Sequence, residues 1–159
     1  MRSLTLAEPP AFWVVPKNAL QSTPDMRAMY EMLLTLGPHV EPTDDQLIRF
    51  RCLLGDCDLK KPEVGSALWQ EWVDQRAALR GLSAIAQSQG DINQLKSFRK
   101  PVLIVTRKNT VSFHRRIDDI LAAQCSLVER LELPGNHSAV VTAQEQFLNA
   151  LRSFLERHR

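Results

Sequence analysis

The stretch that decides the fold runs from residue 101 to residue 155: PVLIVTRKNTVSFHRRIDDILAAQCSLVERLELPGNHSAVVTAQEQFLNALRSFL. Pro101 opens Val102-Leu103-Ile104-Val105, an unbroken aliphatic run. A strand that is apolar on both faces belongs in a parallel sheet covered by helices on each side. The period then changes. Ser112 stands as the cap of a helix that sets Phe113, Ile117, Ile120 and Leu121 on one face, at helical spacing. Leu127 to Leu133 alternates and reads as a second strand. Pro134 to Val141 reads as a loop. Thr142 and Glu145 have capping-box spacing, ahead of a last helix carrying Phe147, Leu148, Leu151, Phe154 and Leu155. Strand, helix, strand, helix in this order requires parallel strands with helical crossovers.

Working back toward the N-terminus, Ser3 to Ala7 (SLTLA) is another short apolar run, stopped by Pro9 and Pro10; it reads as a buried strand. Between it and Pro101 the signals are helical. Thr23 and Pro24 suit a cap and first helical position, and Met26, Met29, Tyr30, Leu33 and Leu34 follow in one stripe. Thr43 and Gln46 form a capping-box pair before Leu47, Ile48 and Leu54. A third helix is expected over Ala67 to Arg80, with Leu68, Trp69, Trp72 and Val73 on one side, then shorter pieces from Leu82 and around Asp91 to Ser97. This block is too long for a simple crossover and reads as an insertion.

The chain has 159 residues, 44% hydrophobic and 24% charged, with a formal net charge of +2. These are values of an ordinary globular domain. So small a net charge does not argue for nucleic acid or an anionic membrane as partner. The basic cluster Arg99, Lys100, Arg107, Lys108, Arg115 and Arg116 reads as a solvated face, with no interleaved aromatics. No apolar run approaches the roughly 20 residues that span a bilayer, and the N-terminus has no signal pattern; a cytoplasmic protein is expected. Cys52, Cys57 and Cys125 match no zinc or redox spacing, so free thiols and no metal are expected.

The residues PVLIVT, FHRRIDDILAA, VERLELPGNHSAVV and FLNALRSFL, taken in order, resemble the C-terminal third of the α/β-hydrolase superfamily. RSLTLAEPPAFW also resembles it, as the strand that follows the helix behind the nucleophile elbow, with Met1 where the family usually has Val. The resemblance implies a partial α/β-hydrolase fold: about three parallel strands and flanking helices from residues 1–14 and 91–159, and an inserted helical cap over 15–90. It also implies which residues carry chemistry. His137, in the loop after the last strand, falls on the catalytic histidine. Most members place the acid just after the penultimate strand, but Thr106 to Val111 holds no carboxylate, and Asp118 and Asp119 lie well along the next helix. A minority place it after the preceding strand, where Glu8 stands. A triad needs a carboxylate to fix the histidine tautomer.

The nucleophile is the gap. None of Gly37, Gly55, Gly65, Gly81, Gly90 and Gly135 brackets a serine as Gly-x-Ser-x-Gly, and the family places that elbow before the first strand here. Ser138 sits on the wrong element and reads as a loop hydrogen-bonder. Phe12, Trp13, Trp69 and Trp72 are apolar enough to line a substrate cleft, although such stripes are more often core. The expected activity is attack on a small apolar ester-like substrate without a cofactor. The nucleophile would come from a preceding segment or a separate chain; pairing with an N-terminal half or self-association through the Ser3–Ala7 strand is the expected contact. Two alternatives stand beside it: a truncated, non-catalytic hydrolase-like protein, and a small helical binding module with a βαβ appendage.

Overall fold

The computed structural model describes residues 2–55, 62–135 and 139–159. Three strands form one parallel sheet in the order β1 (Leu4–Ala7), β2 (Val102–Arg107), β3 (Val128–Leu133). The register pairs Leu4 with Val102, Ala7 with Val105, Val102 with Val128 and Arg107 with Leu133. Parallel pairing brings the carboxyl ends of all three strands to one edge, where α/β sheets build their sites.

The chain divides into two compact units, Met1–Val15 with Gly90–Arg159, and Pro16–Gln89. The first holds the sheet, α6 (Ile92–Ser97), α7 (Ser112–Gln124), α8 (Ala139–Thr142) and α9 (Gln144–Arg157). Side chains alternate along β2. Leu103 and Val105 pack with Leu133, Ala139 and Phe154 under α9. On α7, Phe113, Ile117 and Leu121 are buried, and Phe113 stacks on Phe12 at 5.7 Å between ring centroids. Burying a side chain such as Phe154 or Ile117 contributes about 2 kcal/mol each.

The second unit is helical: α1 (Lys17–Ser22), α2 (Pro24–Leu34), α3 (Asp44–Leu53), α4 (Ala67–Asp74) and α5 (Ser83–Gln87). Its core joins Met32, Leu36, Leu47, Trp69, Trp72 and Leu79. The Thr43–Gln46 capping box forms in both directions.

Several local expectations need correction. The Thr142–Glu145 capping box does not form: Thr142 ends α8, and the cap of α9 is Ala143, with no side-chain bond. A residue already in a helical turn lacks the extended backbone that a cap requires. The residues expected to form a loop up to Val141 turn helical at Ala139. The cap of α7 is Val111, and Ser112 is its first residue. The helix expected to reach Arg80 stops at Asp74 and tightens into a 3-10 turn over Arg76–Leu79. Free thiols were expected throughout. Cys125 is free, but Cys52 is disulfide-bonded, because pairing depends on the approach of a second sulfur and not on spacing alone.

Candidate active site

The site grows from the end of β1. The Glu8 amide donates to the Val105 carbonyl at 3.0 Å, extending the ladder by one bond. Glu8 then turns to φ +40°, the single non-glycine residue with positive φ among the described residues. Such a conformation costs about 1–3 kcal/mol and persists only where its surroundings fix it. Here they do. The Thr110 hydroxyl donates to Glu8 Oε1 at 2.6 Å, and Arg107 Nε lies 2.9 Å from the same oxygen in an ion pair. The Glu8 side chain is only 10% exposed and that of Arg107 1%.

Arg107 corrects the reading of the basic cluster as wholly solvated. It is the last residue of β2, and alternation sets it on the face of Leu103 and Val105 rather than in water. A buried cation needs a partner, and Glu8 is one. Thr110 is brought into reach by the turn after β2, where its amide bonds the Arg107 carbonyl at 3.2 Å.

On α7, Asp118 is buried. Burial is the main cause that lifts its pKa from 3.8 to about 6; the charges of Glu8 and Asp119 push the same way, while the Thr106 hydroxyl and Arg130 oppose it. His114, also buried, lies with its ring 4.4 Å from that of Phe113.

His137 and Ser138 lie outside the described residues. The chain that leads to them leaves β3 at Leu133, whose carbonyl accepts from the Lys108 amide at 2.8 Å, and turns through Gly135 at φ +105°. Phe12 is buried against Phe113, and Trp13 is half-buried with its indole against Gly90. Trp69 and Trp72 sit in the core of the helical unit. Among the described residues no group of three His, Cys, Asp or Glu is placed to hold a metal, and no helix is long and apolar enough to cross a membrane.

Sequence reasoning found Glu8 but missed what surrounds it. The signal for Arg107 was present: it continues the every-second-residue series Leu103, Val105 at the end of an aliphatic strand. Thr110 carried none, since only the fold brings residues 8 and 110 together.

No protein-family model and no curated protein matches the sequence. Solved structures do. MenH from S. aureus superposes with a TM-score of 0.61 at 16% identity, over 99% of this chain and 60% of its own. An α/β hydrolase from Sphaerobacter thermophilus aligns at a TM-score of 0.40 and 15% identity, over 93% of this chain and 58% of its own, too loosely to add to the argument. The chain thus spans about 60% of the length of the first of these. Its parallel strands, helical layers and long helical segment between β1 and β2 are those of a partial α/β-hydrolase fold.

Proposed function

We propose that this chain is the C-terminal part of an α/β-hydrolase that acts on a small, apolar, ester-like substrate. Glu8 is the orienting acid, His137 the general base, and the nucleophile comes from a segment or chain that precedes β1. The observation that carries this reading is Glu8 itself: a residue with a strained backbone, its carboxylate held by two contacts at the carboxyl edge of a parallel sheet. Strain so fixed is a mark of functional positions. In this reading the helical unit is the cap. Trp13, Phe12, Trp69 and Trp72 were the sequence candidates for the cleft; the buried positions of Phe12, Trp69 and Trp72 favour a core role.

The test is the titration of His137 by NMR in the full chain. A carboxylate that orients an imidazole also stabilises its protonated form. Glu8→Gln should therefore lower the His137 pKa by about one unit. An unchanged His137 would remove Glu8 from the site. The chain alone should also hydrolyse short aryl esters no faster than its His137→Ala variant; hydrolysis that survives that variant would point to other chemistry.

A further inference from the structure

We propose that Arg107 and Thr110 are positioning residues, which set the direction in which Glu8 presents its carboxylate; the proposal rests on the reading of Glu8 as the orienting acid. Glu8 has three side-chain torsions, and left alone its carboxylate would sweep a wide arc. Two contacts from one strand end and its turn converge on a single oxygen, Oε1: the guanidinium at 2.9 Å and the hydroxyl at 2.6 Å. The bond from the Glu8 amide to Val105 fixes the main chain beneath. Backbone and carboxylate are thereby both held.

Arg107 is a costly way to end a strand. Its neighbours along that face, Leu103 and Val105, are apolar, and its side chain is 1% exposed. Ion pairs this deep are often no more stabilising than an apolar residue of the same size. Burying a cation there is explained by what it does to its partner. The geometry also accounts for the turn after β2, which holds no carboxylate of its own: from Arg107 to Thr110 it supplies the groups that hold one carried by the neighbouring strand.

Electrostatics alone and positioning predict opposite signs. Loss of a nearby cation raises the pKa of a histidine, whereas loss of a correctly aimed carboxylate lowers it. The experiment is the same His137 titration in Arg107→Met, Thr110→Val and Arg107→Lys, with Glu8→Gln as reference. A fall of about half a unit or more in both Arg107→Met and Thr110→Val, with partial recovery in Arg107→Lys, is the expected result. Thr110→Val is close to isosteric and carries the test where Arg107→Met fails to fold. If Glu8→Gln lowers the His137 pKa but Thr110→Val leaves it unchanged or Arg107→Met raises it, the positioning role is overturned and the reading of Glu8 stands. If Glu8→Gln itself has no effect, the reading falls and the positioning role with it.

Discussion

The Asp118 carboxyl of α7 lies beside the Thr106 hydroxyl of β2, near enough to feel it, yet neither group completes a hydrogen bond with a described residue. Burial therefore dominates, and the folded-state pKa stands at about 6 instead of 3.8. The folded chain holds a proton that the unfolded chain releases, so this residue costs stability as the pH rises from about 4 to about 6, and the loss persists above. Two pKa units correspond to about 3 kcal/mol. Asp118→Asn, which keeps the shape and removes the charge, should stabilise the chain by about 1–3 kcal/mol at pH 7.5 and by little at pH 4. Urea unfolding at the two pH values measures this; a variant less stable at pH 7.5 would mean that the charge has a partner outside the described residues.

Gly90 leaves room for Trp13. A Cβ at residue 90 would stand 2.4 Å from Trp13 Cε3 and 2.5 Å from Cδ2, inside the contact distance of any two carbons. The contacted atoms belong to the rigid indole ring system, which cannot fold away as a flexible chain end does. Gly90→Ala should cost about 1–3 kcal/mol, read as a fall of several degrees in the thermal midpoint. Trp13→Leu should remove most of the added cost in the double variant. Equal midpoints for Gly90→Ala and the parent would show that the ring moves freely.

The contact between Thr110 and Glu8 also predicts a relocation. Because the Thr110 hydroxyl is 2.6 Å from Oε1, a carboxylate on residue 110 would fall close to the one that Glu8 provides. Glu8→Ala should lower the His137 pKa, and Glu8→Ala with Thr110→Asp should recover at least half of the loss. Recovery must disappear in Glu8→Ala with Thr110→Asn, which has the shape without the charge; if it persists, the carboxylate is not the cause.

Periodicity made most of this fold readable. Val102 to Val105, the alternation to Leu133 and the stripe on α7 are long or pure enough for burial to dictate their form. The short elements were not readable: α1 and the 3-10 turn at Phe12–Val14 carry no amphipathic stripe, and tertiary contacts decide them. Of the apolar residues that mark α9, Leu148 and Leu155 are exposed, because Phe147, Leu151 and Phe154 already fill the space against the sheet. At the site, a strand-end acid followed by Pro9 was visible as a candidate. The buried arginine was legible only from its place in the Leu103, Val105 series, because composition counts a charge without saying where it points.

The last prediction concerns the two edges of the sheet. Along β3 the edge is guarded by charge: Arg130 pairs with Asp119 at 2.7 Å, Glu132 lies 3.7 Å from Arg115, and Glu129 binds Arg157 and His158. Edges so furnished resist pairing with another chain. β1 pairs with β2 alone among the described residues and has no charge from Leu4 to Ala7. Leu4 and Glu8 send their amides to Pro101 and Val105 of the β2 side. Alternation then turns the amides and carbonyls of Thr5 and Ala7 toward the open edge. That edge should take a further strand, and in the chain by itself the available source is a second copy. Light scattering should show a mass that grows over the micromolar range, with exchange at the Thr5 and Ala7 amides slowing as association proceeds. Thr5→Lys should return the chain toward monomer. A monomer at every concentration, with Thr5 and Ala7 exchanging freely, would show that the edge is tolerated bare; slow exchange in that monomer would show that the chain covers it with its own residues.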